Sequence, residues 1–384
     1  MLLTAHLIRF YILDFKGAVD MKKKYIVTTI VTAVFLLGVS LFAWLKPADA
    51  FSLSERRSLE QFPEISFDSI ISGSFMKDFE DYTLDQFPLR DEFRKIKAFV
   101  AMNFFGAKEN NGIYVYDGYV SKTEYPLDEE SVVKAGDKLE YVYNKYLKDT
   151  ETKNYLAIIP DKNCFLAEKG GVLSIDYEEM ISLIRENTGF LEYIDITENL
   201  SIDDFYKTDT HWKQENIVDV ARVLCNGMGA SSTQQYTEKT LDKEFYGVYF
   251  GQSALPLESE TIKYLTNEAI ENCVVYDYQN GKETSVYDLE KGMGKDPYEL
   301  FLSGPISLIS IENKNAKTDK ELIIFRDSFG SSIAPLLIDG YSKITLVDIR
   351  YIHPNFLGQY IEFNSQDVLF LYSTSVLNNS ETIK

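Results

Sequence analysis

The longest apolar stretch of the chain runs without a charge from Tyr25 to Leu45, directly after Lys22, Lys23 and Lys24. As a helix it measures about 31 Å, enough to cross a hydrocarbon core of about 30 Å. The pattern predicts one transmembrane helix over 25–45. The lysines hold residues 1–24 in the cytoplasm, so everything after Lys46 is expected outside. The alternative is a secreted form, cut after Ala48-Asp49-Ala50, but an apolar run this long exceeds the h-region of about 7 to 15 residues usual in a signal peptide. Residues 1–20 carry no clear structural pattern, and Met21 stands before the lysines as an alternative start.

Residues 46–105 read as a juxtamembrane helical segment. Phe75, Phe79 and Tyr82, then Phe93, Ile96 and Val100, recur at helical spacing and are expected to pack, with Pro88 between the two sets. In GIYVYDGYV the dipeptide Asp117-Gly118 suits a hairpin turn. From about 128 the pattern alternates. A helix over 128–148 precedes a buried strand at 154–160, and a helix over 177–187 precedes a strand at 190–196. Later come ELIIF (321–325), a helix near 330–338, KITLVDI (343–349), a helix near 355–363 and DVLFLYS (367–373). Continuous apolar strands separated by helices predict a doubly wound, mainly parallel α/β sheet over 106–384. Residues 229–318 break the rhythm with short β-like pieces and turns such as Asn280-Gly281, which predicts a β-rich insertion.

Composition narrows the functional classes. Basic residues number 39 and acidic ones 59, a net charge of −20, and 45% of positions are apolar. This excludes disorder and gives no footing for nucleic acid. Three Cys (Cys164, Cys225, Cys273) are too few and too scattered for a disulfide framework or a zinc knuckle. Histidines number only 3, so each is informative as a base. No spacing suggests a metal or cofactor site.

In a doubly wound sheet the reactive groups gather beyond the carboxyl ends of the strands. In FRDSFGSS (325–332) the predicted strand runs into Asp327-Ser328 and then a helix, so Ser328 is a candidate nucleophile, with helix-start amides available to an oxyanion. The same pattern also fits a plain helix cap. In TDTHWKQEN (208–216), Asp209 and His211 leave the same face of an extended segment, which sets a carboxylate beside an imidazole. His353, next to Pro354, reads as structural or at the rim of the site.

Together, TDTHW and FRDSFGSS, with IIPDKNCF (158–165), ITLVDIRY (344–351), DQFPLRDEF (85–93) and NGIYVYDGYV (111–120), resemble the DHHW family. That family is similar to the SGNH-hydrolase-like domain of alginate O-acetyltransferases. The resemblance implies a serine-dependent O-acyl transferase or esterase acting on a cell-surface or exported polysaccharide, with Ser328 as nucleophile, His211 as base and Asp209 as its orienting acid. Arg350 matches a family position near the site, and Asp327, Trp212 and Lys162 are expected with it to contact substrate. An integral membrane O-acyltransferase is the implied acyl supplier. Two positions depart from the pattern. Arg326 stands where related elements carry glycine, and Thr210 stands at the second position of the DHHW element in place of histidine. The competing reading is a weak or inactive glycan-binding or envelope-assembly protein of the same fold. A carboxylate glycosidase drawing on Asp161, Asp203, Asp204 and Asp209 is a third.

Overall fold

The computed structural model describes residues 2–52, 54–232 and 235–384, and the side chains of 1–21, the alternative start Met21 among them, lie outside the described part. The chain divides into two compact units, Met1–Ser52 with Arg57–Arg94, and Leu53–Arg56 with Lys95–Lys384.

The first unit opens with the helix Leu2–Leu45. Its part Lys22–Leu45, with a mean hydropathy of 2.4 over an 18-residue window, has the length and composition of a membrane anchor or a signal sequence. Phe51–Ser52 then pairs with Arg57–Ser58. Helices Phe67–Ser72 and Ser74–Asp85 are separated by Gly73, which takes the left-handed conformation (φ 79°) that a glycine adopts without steric cost. Phe62 gathers Phe75, Phe79 and Tyr82 around it, its ring 5.5 Å from that of Tyr82. The second predicted apolar set does not pack as expected. On the helix Arg90–Asn103, Phe93 is 41% and Ile96 58% exposed, and Ala98 is the buried residue.

In the second unit Ile113–Tyr116 and Tyr119–Lys122 form the expected hairpin, with Asp117 (φ 49°) and Gly118 (φ 79°) in its turn. The centre is a mixed sheet of eight strands. In chain order these are β1 (Lys153–Ile159), β2 (Glu192–Tyr193), β3 (Cys273–Asp277), β4 (Lys282–Thr284), β5 (Leu308–Asn313), β6 (Glu321–Arg326), β7 (Lys343–Val347) and β8 (Asp367–Ser373). Their spatial order is β4-β3-β5-β7-β6-β8-β1-β2. From β7 to β2 the pairing is parallel, and β4, β3 and β5 add an antiparallel edge.

Alternation along the strands feeds two cores. On β6, Leu322 and Ile324 face the core shared with helices Val218–Gly227 and Gly330–Leu337, whereas Ile323 and Phe325 face helices Glu129–Val142 and Tyr177–Asn187. The helix Glu129–Val142 shows how the sequence builds such an element. Asp128 caps it by accepting the Ser131 amide, Glu129 and Glu130 suit its positive end, and Val132, Ala135, Leu139 and Val142 form its buried stripe.

Three predicted elements differ. The strand over 190–196 is shorter than expected, Glu192–Tyr193, with the Ile194 amide donating to the Leu156 carbonyl at 2.8 Å, while Leu191 and Ile196 are buried outside it. The helix near 355–363 is a 3₁₀ turn, Pro354–Gln359, started by the proline and capped by the His353 side chain. The stretch 229–318 is divided. Thr237–Phe245 and Glu260–Thr266 make a separate two-stranded sheet, while β3, β4 and β5 extend the central one. Cys164, Cys225 and Cys273 carry no disulfide.

Candidate active site

β6 has β7 on one side and β8 on the other, so the loop leaving it opens where the connections part, at the carboxyl edge of the parallel strands. That loop is Asp327-Ser328-Phe329. Asp327 fixes it. One carboxylate oxygen accepts the Phe329 amide at 3.0 Å and the other accepts the Ser373 amide at 2.8 Å, tying the ends of β6 and β8 together. Gly330 makes the tight turn possible, since a Cβ there would lie 2.7 Å from the Cβ of Arg326. The Ser328 amide donates to no atom among the described residues, which leaves it available to a ligand oxygen.

The partner segment is a bend, not the extended run expected. Phe205 bridges to Trp212, and the Tyr206 amide donates to the His211 carbonyl at 3.1 Å. Inside this loop the Asp209 carboxylate folds back over its own chain and accepts the His211 amide (3.0 Å) and Nδ1 (2.6 Å) at the same oxygen, Oδ1. His211 Nε2 lies 2.7 Å from Ser328 Oγ. Ser328, His211 and Asp209, far apart in sequence, are thus in one hydrogen-bonded line, with the hydroxyl half-buried and the carboxylate 1% exposed.

The other Asp209 oxygen, Oδ2, accepts the Val248 amide at 2.8 Å. Gly247 allows this approach, because a Cβ there would lie 2.2 Å from the Thr208 carbonyl. Glu260 holds the same loop by accepting the amides of Lys207 and Thr208 at 2.8 and 2.9 Å. Arg56 Nη1 stands 3.6 Å from Oδ2. Burial alone would push the Asp209 carboxyl up. The charge and hydrogen bonds of His211, with the Arg56 guanidinium, outweigh it and hold the group well below the usual carboxylate range.

The imidazole is clamped by ring packing. Tyr298 stacks on it at 3.9 Å and 11°, and Phe329 lies at 5.0 Å. The Tyr298 hydroxyl and Trp212 Nε1 both donate to Ser332 Oγ at 2.8 Å, and Gln214 Nε2 donates to the Ser332 carbonyl at 2.6 Å. One buried serine thus joins the helix after Ser328 to the loop carrying His211.

The residues expected to meet substrate have other places. Trp212 is fully buried, with its indole spent on Ser332 and Phe329. Asp327, 1% exposed, is the tie described above. Lys162, 2% exposed, donates to the carbonyls of Tyr206 and Lys207 at 2.9 and 3.0 Å, and burial pushes its ammonium down to about 7. These three support the loops in place of contacting a ligand. Arg350 lies in the turn after β7, not on the strand, and its guanidinium binds Asp348 through Nε (2.9 Å) and Nη2 (2.7 Å). The same carboxylate lies 3.6 Å from Arg326, whose guanidinium donates to the carbonyls of Asp327 and Ile306. Arg326 is therefore a buried strut packed beside Gly330. Among the described residues no cluster of three His, Cys, Asp or Glu side chains could hold a metal ion.

Sequence reasoning gave no role to Arg56, Gly247, Tyr298 or Ser332. Gly247 had a readable signal, a lone glycine inside an aromatic β-like run. Tyr298 follows Asp296-Pro297, a cap and first-turn proline that mark a helical turn.

No family model and no curated protein sequence matches the chain. Solved structures do. A DHHW family protein from Eubacterium siraeum is 20% identical, with a TM-score of 0.57 over 71% of this chain and 95% of that one. Bacillus cereus PatB1 carrying a sulfonyl adduct is 20% identical, with a TM-score of 0.55 over 69% of this chain and 97% of its own. PatB1 without the adduct superposes with the same score. At this identity the likeness is one of fold. The chain therefore shares the α/β fold of the DHHW family structure and of PatB1, a mainly parallel sheet with helices on both faces.

Proposed function

We propose that the protein is a serine-dependent O-acyl transferase or esterase of the extracytoplasmic surface, held to the membrane by residues 25–45 and acting on a polysaccharide hydroxyl or its ester. The observation that carries this reading is the line from Ser328 Oγ to His211 Nε2 (2.7 Å) and from His211 Nδ1 to Asp209 (2.6 Å). With its proton on Nδ1, the ring donates to Asp209 and leaves Nε2 to accept the serine proton. Ser328 Oγ attacks the acyl carbonyl while its proton passes to Nε2. The tetrahedral anion forms beside the Ser328 amide, and its collapse expels the donor's leaving group, which takes the proton from His211. A sugar hydroxyl or water then attacks the ester by the same steps in reverse. A donor supplied across the membrane fits a chain anchored there, and for a transferase an integral membrane acyltransferase is the proposed acyl supplier, whereas an esterase needs none.

The test is intact-mass spectrometry after incubation with 4-nitrophenyl acetate. One acetyl group mapped to Ser328, absent in Ser328→Ala and His211→Ala, is expected. A folded wild-type protein that neither gains the group nor releases nitrophenol refutes the reading. The anchor is checked by fractionation, and a soluble product beginning at Phe51 refutes it.

A further inference from the structure

Arg56 has no part in the steps above, yet it reaches the oxygen of Asp209 that faces away from His211. Its guanidinium is built in place. Nη1 donates to Asp296 Oδ1 at 2.8 Å, Nη2 donates to the Tyr246 carbonyl, and the group lies 5.3 Å from the centre of the Phe245 ring. The side chain is 12% exposed, and its backbone holds the left-handed conformation (φ 52°) that costs a non-glycine residue free energy. The chain just before it is closely seated, since a Cβ at Gly251 would lie 1.5 Å from the Ser54 carbonyl oxygen. The turn 246–248 therefore carries two linked contacts to one oxygen. Tyr246 holds Arg56, which stands 3.6 Å from Oδ2, and Val248 donates to that same atom at 2.8 Å.

We infer that Arg56 is a positioning residue for the proposed reaction, whose charge beside Oδ2 orients Asp209 and tunes how readily the Asp209–His211 pair takes up the Ser328 proton. The inference rests on the serine acyl-transfer reading and deepens it. A buried carboxylate with no other cation would favour the imidazolium at rest, and a protonated ring cannot take the Ser328 proton. A guanidinium on the far oxygen offsets part of that field. Its own field is in turn limited by Asp296, on its other side. The remaining charged groups near Asp209 are His211 on its own loop, Lys162 after β1 and Glu260, which binds the Thr208 amide, while Tyr298 and Tyr206 are phenols kept neutral by burial.

The experiment follows the rate at which phenylmethanesulfonyl fluoride labels Ser328 in the full chain as pH is varied. In this step Ser328 Oγ bonds to sulfur, fluoride leaves, and the hydroxyl proton passes to His211. Arg56→Gln removes the charge while keeping a shorter polar side chain with an amide donor, and Arg56→Lys keeps the charge. For Arg56→Gln the midpoint of the acid limb is expected to rise by about half to one pH unit, lowering the rate at acid pH about three- to tenfold with the plateau within about twofold. Arg56→Lys is expected to keep the wild-type midpoint. Asp296→Asn, which removes the anion opposing Arg56, is expected to move it down. A midpoint unmoved in both Arg56→Gln and Asp296→Asn, with only the plateau or the melting temperature lowered, makes Arg56 a structural strut and overturns the inference. If Arg56→Gln does not fold, the sign of the Asp296→Asn shift decides. Absence of any label on wild-type Ser328 is a different result, which overturns the acyl-transfer reading itself.

Discussion

Replacing Asp209 by asparagine tests the hydrogen-bonded line most directly, because the structure states what each atom must do. Oδ1 accepts two donors of His211, at 2.6 and 3.0 Å, and Oδ2 accepts the Val248 amide at 2.8 Å with Arg56 at 3.6 Å. An asparagine amide offers one acceptor and one donor. If its nitrogen faces His211, two donors oppose it, and the ring is driven to the tautomer with its proton on Nε2. It then cannot accept from Ser328. If its nitrogen faces Val248, the tautomer survives. One buried amide then loses its acceptor, at about 1–3 kcal/mol of stability, and the imidazolium forms with no carboxylate beside it. Either orientation raises the barrier by about 4–5.5 kcal/mol, a fall of about 10³- to 10⁴-fold in acylation rate. The assay is the pre-steady-state release of 4-nitrophenol, with intact mass confirming the adduct and thermal melting confirming the fold. Acylation by folded Asp209→Asn within about tenfold of wild type would refute the reasoning and make Asp209 only a tie for its loop.

Gly247→Ala drives a Cβ to within 2.2 Å of the Thr208 carbonyl, so a loss of about 1–3 kcal/mol in urea unfolding is expected, with slower acylation as Val248 leaves Asp209. Ser332→Ala strands the Trp212 and Tyr298 donors in the interior at about 1–3 kcal/mol each, and a melting temperature equal to wild type would contradict their shared bond. Burial, then the charge of Glu124, pushes the Asp161 carboxyl up to about 6, so the folded state holds its proton more tightly than the unfolded one. Its contribution to stability is complete below about pH 4 and lost as pH rises through about 6. Asp161→Asn is therefore expected to flatten the decline in melting temperature across that window, and an unchanged slope would show that Asp161 does not titrate there.

Strands buried on both faces were the most legible part of the chain. DVLFLYS is a strand over the full 367–373, because seven buried positions in a row leave little alternative. Burial without pairing misled at 190–196, where apolar residues line the core beside an edge strand of two residues. At 355–363 the apparent helix is a 3₁₀ turn, Pro354–Gln359, for which the proline marks the start but not the type. Of the short strands, β3 gave a β signal but no hint of its partners, and β4 and β5 were covered only by the broad expectation of a β-rich insertion. Such ladders depend on which distant segment lies alongside, and here that segment is β7 for one edge of β5 and β3 for the other.

The candidate site divides along the same physical line. Ser328 and His211 announce themselves because a reactive group needs a particular atom at a particular end of a strand or turn, and short motifs encode that. Trp212 shows the weakness of such motifs. It follows the histidine and invites a substrate contact, but an indole has both an apolar body and a donor, and here Ser332 takes the donor while Phe329 takes the ring. The residues that hold the line in place have no local signature, since their task is to fit another segment. Tyr298 stacks on His211 from a turn nearly ninety positions later, and Arg56 reaches Asp209 from a segment far ahead of both motifs. A change at either is expected to alter the chemistry without touching a reacting atom. The variants that separate a Ser-His-Asp line that turns over from one that merely exists therefore lie at Arg56, Gly247 and Tyr298, outside both motifs.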